Sequence, residues 1–344
     1  MTPPSADSRL DALVAWLRPL AERYALDLAT LAPASADASF RRYFRVASAV
    51  SPGGSLIAVD APPPEKCREF VQVAKLLADA DVHVPQILAH DFDAGFMLVT
   101  DLGRTSYLLV LDPADPLAAR PLMRDALDAL IRFQLTSAPG VLPPFDETFL
   151  RREMELLPEW FVGRHLGQAV TDAMRGTLDR TFALLIDSAR AQPQGFMLRD
   201  YMPRNLMVCE PNPGVLDFQD AVYGPLTYDV VSLLRDAFIS WDEEFELDCF
   251  VYYWEKAKKA GLPVDPDFGE FYRQLEWMGL QRHIKILGLF ARINYRDGKP
   301  HYLADLPRFL TYARKVALRY RTLAPLAKLL DELEGKAADV GYTF

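Results

Sequence analysis

The chain has 344 residues, of which 50% are hydrophobic and 25% charged, with a formal net charge of −9. That length exceeds what one compact core organises well and points to two lobes, and the composition is that of a soluble globular protein. The acidic balance excludes a broad basic nucleic-acid surface, although a site can still be locally positive.

The N-terminal MTPPSADSRLDALVAW lacks the basic start and apolar run of a secretory signal. Leu10, Leu13, Val14, Leu17, Ala21 and Tyr24 recur at helical spacing, which predicts a packing helix over 8–26 with Pro19 as a kink. The period then changes. Phe40–Val46 alternates aromatic and polar residues, Ser55–Val59 is a short apolar run, and Ser51-Pro-Gly-Gly-Ser marks the turn of a hairpin. A helix is expected over 65–80, on the face of Cys67, Phe70, Val71, Ala74 and Leu77, and strands over 84–90 and 95–100. From about residue 104 the pattern is mostly helical, with segments at 122–135, 149–166, 171–188, 227–238, 244–259, 267–290, 303–320 and 323–333 and a mobile tail from Lys336. No run reaches the roughly 18 continuous apolar residues of a membrane helix. Cys67, Cys209 and Cys249 are far apart and form no C-x-x-C pair, so a reduced compartment without a zinc site is expected, and the protein is placed in the cytoplasm.

The chemistry concentrates between Phe196 and Phe238. Apolar runs end at Asp200, begin after Asn205 and end again at Asp217, with the Pro211–Gly214 turn between. This reads as a loop followed by a hairpin whose strands return Asp217 beside Asn205. A carboxylate that takes a hydroxyl proton, plus an amide and a second carboxylate that hold Mg²⁺ on phosphates, is the equipment of phosphoryl transfer. Asp-x4-Asn has the spacing of a kinase catalytic loop. Alone it is also an ordinary turn; the correctly spaced Asp217 and the Gly224-Pro225…Tyr228-Asp229 helix start favour function. Asp229 is expected to brace the fold as a helix N-cap.

With Arg199-Asp200-x4-Asn205…Leu216-Asp217-Phe218-Gln219-Asp220-Ala221…Tyr223-Gly224-Pro225…Tyr228-Asp229, the sequence resembles the aminoglycoside phosphotransferase family, the small-molecule branch of the protein-kinase-like fold. Within it, the bacterial anomeric amino-sugar kinases look most similar. The resemblance implies an α+β two-lobe fold, with a small antiparallel N-lobe over 1–102 and a larger helical C-lobe over 103–344. It implies ATP and Mg²⁺ as cofactors, and the acceptor would be N-acetylmuramic acid or N-acetylglucosamine, phosphorylated at the anomeric hydroxyl in cell-wall sugar recycling. Asp200 and Asn205 would be catalytic, with Asn205 and Asp217 on the metal. Ser39 and Phe40 of a loop over 36–40, Arg42, Glu69, and the hinge Thr100, Asp101 and Leu102 would meet the nucleotide. Arg199, Asp200, Glu153, Trp160 and Arg292 would face the sugar. The protein would act as a monomer on small molecules, without nucleic acid or membrane.

Two positions depart from the pattern. Leu198 stands where the family places a His, and Asp60 stands where the strand lysine is expected. Arg42 or Arg45 could replace that charge, or both could be solvated strand residues. Glu69 could equally be a surface charge. Trp160 and Trp241 could stack on a sugar or pack in the core. Arg282, His283, Lys285 and Arg292 could meet a substrate carboxylate or form a solvated helix face. Two alternatives stay open: a kinase for an aminoglycoside, choline-like or homoserine-like acceptor, and a nucleotide-binding pseudokinase scaffold.

Overall fold

The computed structural model describes residues 7–35 and 41–335. Ser39 and Phe40, and the tail from Lys336, lie outside the described residues. The chain divides into two compact units, Met1–Leu111 with Pro203–Ala221, and Asp112–Met202 with Val222–Phe344. The first unit therefore runs past the boundary expected at 102 and takes in the hairpin that carries Asn205 and Asp217. Bridges from His83 to Gly214 and from Ser106 to Met207 attach that hairpin to it.

In the first unit, α1 (Ser8–Leu17) is capped by Asp7, whose carboxylate accepts from Leu10 N at 3.0 Å. The helix expected to reach residue 26 stops at Leu17 and tightens into a 3₁₀ turn over Arg18–Leu20, since Pro19 cannot continue the ladder. An antiparallel sheet follows: β1 (Leu26–Ser35), β2 (Arg42–Ser48), β3 (Ser55–Asp60), β4 (Ile87–Asp91) and β5 (Phe96–Thr100), in the order β1-β2-β3-β5-β4. α2 (Cys67–Asp79) connects β3 to β4, and α3 (Tyr107–Val110) closes the run. Strand alternation sorts the two faces. Phe44, Val46, Leu56, Ala58, Phe96 and Leu98 pack against Leu13 and Leu17 of α1. Tyr43, Arg45, Ile57, Val59 and Val99 turn to the opposite face and line a cavity.

The second unit is mostly helical: α4 (Pro116–Leu135), α5 (Glu147–Met154), α6 (Asp172–Ala191), α7 (Thr227–Leu234), α8 (Glu243–Ala260), α9 (Phe268–Asp297), α10 (Leu306–Arg319) and α11 (Ala324–Leu333). A two-stranded antiparallel ribbon pairs Gln194–Met197 with Val222–Pro225. The single helix expected over 149–166 divides into α5 and a π-helical segment over Leu157–His165, where Pro158 supplies no N–H for the regular ladder. α9 runs 30 residues through the core of this unit. At Gly288 a side chain would stand 2.1 Å from the Leu156 carbonyl carbon, so only glycine lets the π-helical segment approach this closely. Among the described residues, no helix is long and apolar enough to cross a membrane.

Candidate active site

In the first unit the site is the cavity beneath the sheet, about 380 Å³ in volume. That is within the roughly 300–1,000 Å³ typical of small-molecule sites. Its walls are Ile57, Val59 and Val99 from the strands, the segment Thr100–Arg104, and Asn205, Leu216 and Asp217 from the hairpin. The hairpin is short: Leu206–Met207 pairs with Gly214–Val215, and Leu216 N donates to Asn205 O at 2.9 Å. This closure is what brings the two predicted metal ligands together, with Asn205 Nδ2 3.3 Å from Asp217 Oδ2. Gln219 Nε2 donates to the other carboxylate oxygen at 2.7 Å. Asp217 lies in the left-handed region at φ 59°, a conformation that costs a side chain roughly 1–2 kcal/mol. Its neighbours hold it there. Phe218 is fully buried and stacks on Phe70 of α2, with ring centroids 4.6 Å apart, and Lys66 Nζ meets Asp220 at 2.6 Å.

Thr100, Asp101 and Leu102 all line this cavity. Asp101 is occupied by protein partners: Arg45 Nη2 at 2.9 Å, Ser55 Oγ at 2.6 Å and Gly103 N at 3.0 Å. Burial works to raise its carboxyl, but these donors and the Arg45 charge outweigh it and hold the group below its usual range. Arg42 lies on the other face of β2, where it pairs with Asp60 and Asp7. Asp60 is fully buried on that same face, so it is not the position of a strand lysine. Since Ile57 and Val59 line the cavity, the next residue on the cavity side is Ala61. Glu69 is exposed and does not line the cavity; one helical turn earlier, Glu65 pairs with Arg41 at 3.0 Å.

In the second unit the site centres on Asp200, which follows the strand Gln194–Met197 and is half-buried. The two peptide N–H groups ahead of it are held by one carboxylate: Leu198 N donates to Asp229 Oδ2 at 2.6 Å and Arg199 N to Asp229 Oδ1 at 2.9 Å. Asp229 thus braces a loop rather than capping its helix, correcting the expected N-cap. This also explains how the loop is oriented with Leu198 in the usual His position. Burial pushes the Asp229 carboxyl up to about 7, against the pull of the two N–H donors. Arg199 adopts φ 72°, and its guanidinium donates to Glu153 at 2.7 Å while lying 4.9 Å from the Phe149 ring centroid. Glu153 also receives Lys285 Nζ at 3.0 Å and Gln281 Nε2 at 3.2 Å. Burial would raise the Glu153 carboxyl, but the Lys285 and Arg199 charges hold it below its usual value.

Glu153 and Arg199 are therefore neighbours, together with Lys285, whose Coulombic partners include Asp200. Trp160 packs against the hydrophobic core of the second unit, and Arg292 has Arg296, Asp297 and Glu159 as its charged neighbours. Trp241 is buried against Phe245 at 4.4 Å. Arg282, His283 and Lys285 are buried, which overturns the solvated-face reading of α9. Sequence reasoning missed the pair Arg41–Glu65; the alternation Arg41-Tyr43-Arg45 was its one visible signal.

Residues 30–262 match the model of the phosphotransferase enzyme family. The chain is 50% identical to an N-acetylmuramate/N-acetylglucosamine kinase of Pseudomonas putida, over 97% of this chain and 99% of that protein. It is 48% identical to one of Neisseria meningitidis, over 90% of this chain and 93% of that one. Among solved structures it resembles a choline kinase from Cryptosporidium parvum, with a TM-score of 0.61 at 10% identity over 93% of this chain and 99% of that one. It also resembles an ADP-bound aminoglycoside phosphotransferase, APH(2'')-Ib, with a TM-score of 0.59 at 14% identity over 89% of this chain and 99% of that one. The antiparallel sheet of the first unit, the helical second unit and these matches agree: the chain has the α+β protein-kinase-like fold and belongs to the phosphotransferase enzyme family.

Proposed function

We propose that this chain is an ATP-dependent kinase that phosphorylates the anomeric hydroxyl of an amino sugar, N-acetylmuramic acid, N-acetylglucosamine or both, in cell-wall sugar recycling. The observation that carries the reading is the 50% identity to an N-acetylmuramate/N-acetylglucosamine kinase along nearly the whole of both chains. The motif Asp200-x4-Asn205…Asp217 supplies the matching chemistry. Asp200 accepts the proton of the attacking hydroxyl, and the Asp229 clamp on Leu198 and Arg199 fixes where its carboxylate points. Arg199, Glu153 and Lys285 form the buried charged floor beside Asp200 on the acceptor side. Thr100, Asp101 and Leu102 border the adenine end of the cavity.

Asn205 Oδ1 and the Asp217 carboxylate fit Mg²⁺: two hard oxygen donors on adjacent side chains, with waters and phosphates completing the shell. Bound there, the cation neutralises charge on the transferred phosphoryl group. The enzyme works as a cytoplasmic monomer on ATP and a small sugar.

The test is turnover on a panel of amino sugars, aminoglycosides and choline, with the product identified by ³¹P and ¹³C NMR. A 1-phosphate of an amino sugar is expected. Phosphorylation only of an aminoglycoside or choline would overturn the substrate assignment, and MgATP binding without turnover on any acceptor would favour a scaffold. Asp217→Asn should abolish turnover while leaving the urea unfolding midpoint in place; unchanged steady-state rates would remove Asp217 from the metal site.

A further inference from the structure

A nucleotide cavity in this fold needs a fixed cation on the phosphates, and strand phase limits where that cation can sit. On β3 the cavity side is Ile57 and Val59, and next in the alternation, just past the end of the strand, is Ala61, buried and uncharged. On β2 it is Arg45 and Tyr43, and Arg41, the residue just ahead of the strand, is next in that alternation. The ladder ends with Arg42 paired to Asp60, and its register, continued by one residue, sets Arg41 opposite Ala61. By that register Arg41 falls opposite the strand position that lacks its charge. It is 4% exposed, and its Nε lies 3.0 Å from Glu65 Oε2, in the turn just before α2. A buried guanidinium held by a carboxylate is a pre-oriented fork, suited to phosphate oxygens.

The other cations are committed differently. Arg45 serves Asp101 and Gly103 O, Arg42 faces away from the cavity, and Lys66 is tied to Asp220. Arg104 and Arg204 line the cavity and are the rivals to be tested.

We propose that Arg41, positioned by Glu65, is the phosphate-binding cation of the nucleotide cavity and stands in for the strand lysine that this chain lacks. The inference rests on the ATP-dependent reading above. α2 and the turn before it then support both halves of the phosphate site. Glu65 precedes it, and its Phe70 stacks on Phe218, the residue after the metal-binding Asp217.

Calorimetric titration of the full-length protein with MgADP and, separately, with adenosine tests this. Arg41→Ala should weaken MgADP about 10- to 100-fold, the loss expected for a charged hydrogen-bonding partner, and leave adenosine affinity unchanged. Arg41→Lys, which keeps the charge but not the fork, should recover part of that loss. Glu65→Gln should raise KM for ATP more than it lowers kcat, as befits a positioning residue. Wild-type-like MgADP binding by Arg41→Ala overturns the inference. So does an equal loss of adenosine and MgADP, which would indicate a distorted sheet, or a loss confined to Arg104→Ala or Arg204→Ala. In each of those cases the kinase reading stands, because the wild type still binds nucleotide. Failure of the wild type to bind MgADP would bring down both.

Discussion

Asp200 and Asp217 sit on loops that are held by different means. The Asp200 loop is locked by buried charge: Asp229, fully buried, grips two consecutive N–H groups, and Glu153 grips Arg199 and Lys285. The Asp217 turn is held by side chains at or near the cavity wall, Gln219 and Asn205, and by an aromatic stack and a half-exposed ion pair to α2. Each loop contains one non-glycine residue at positive φ, Arg199 at 72° and Asp217 at 59°. Strain of that kind persists only where the surroundings over-determine it. The buried lock would suit the base proposed for Asp200, which must keep one orientation toward the acceptor. The softer mount would suit the metal ligand proposed for Asp217, whose cation would arrive and leave with nucleotide, and it makes the pose of Asp217 depend on α2.

The largest effect that would sharpen the contrast is on turnover. Asp200→Asn keeps the shape but removes the base and its charge, and kcat should fall by about 10²–10⁴-fold. An anomeric hydroxyl is more acidic than an ordinary alcohol, which places a reducing sugar toward the lower end. MgATP affinity should change little, since Asn205 and Asp217 remain. Loss of MgATP binding together with kcat would make Asp200 a metal-site residue, and full activity would remove it from the mechanism.

Next comes stability. Glu153→Ala leaves two buried cations, Arg199 and Lys285, without their shared carboxylate. Breaking a buried pair in this way costs about 3–5 kcal/mol. Urea unfolding should show it as a lower midpoint at unchanged slope. Lys66→Ala, at the Asp217 end, removes an ion pair whose side chains are 53% and 35% exposed and should cost no more than about 1 kcal/mol. Equal losses in the two variants would erase the distinction between the mounts.

This contrast was only half legible in the sequence. Asp200, Asn205 and Asp217 could be picked out because spacing along one loop and one hairpin is fixed by local chain geometry, and the hairpin does bring Asn205 and Asp217 together. The supports could not, because they depend on strand phase and on partners distant in sequence. Placing the strand charge at Asp60 is an error of one residue, and in a strand one residue reverses the face. Glu69 is exposed and is not among the cavity-lining residues, whereas Glu65, just before α2, is the carboxylate that pairs with Arg41. β1 was not read as a strand at all: Pro33 and two register shifts interrupt its alternation. Glu153 meets Lys285 across 132 positions of chain, a pairing no local pattern announces.

A smaller effect concerns pH. Because burial raises the Asp229 carboxyl to about 7, the folded state binds its proton more tightly than the unfolded chain does. The stability this contributes is fully present below the ordinary carboxylate range and is lost as pH rises toward about 7. Activity should run the other way. A protonated Asp229 offers one oxygen fewer to the Leu198 and Arg199 N–H groups, so kcat should decline as pH falls below about 7. Asp200 and Arg282 are the charged groups that bias this titration in opposite directions. Asp229→Asn should remove this component from both profiles, and coincident profiles for the variant and the wild type would show that the group does not titrate in this range.

The smallest effect tests the strand phase itself. Alternation places Arg42 on the face of β2 opposite the cavity, beside Asp60 and Asp7. Asp60 is fully buried, yet it does not depend on Arg42 alone. Arg9 also pairs with it, and Arg9 Nη2 is itself anchored on Ala94 O at 2.9 Å. Truncating Arg42, whose side chain is 36% exposed, therefore removes one of two partners and leaves no buried charge uncompensated. Arg42→Ala should cost about 1 kcal/mol or less, the range of partly exposed pairs. KM for ATP should stay at the wild-type value, because nothing on that face reaches the cavity. Removing Arg9 as well strips Asp60 of both partners, and the double variant should lose more than the sum of the two single ones. A marked rise in KM for ATP with Arg42→Ala alone would reverse the assignment of faces on β2 and, with it, the placement of Arg41 on the cavity side.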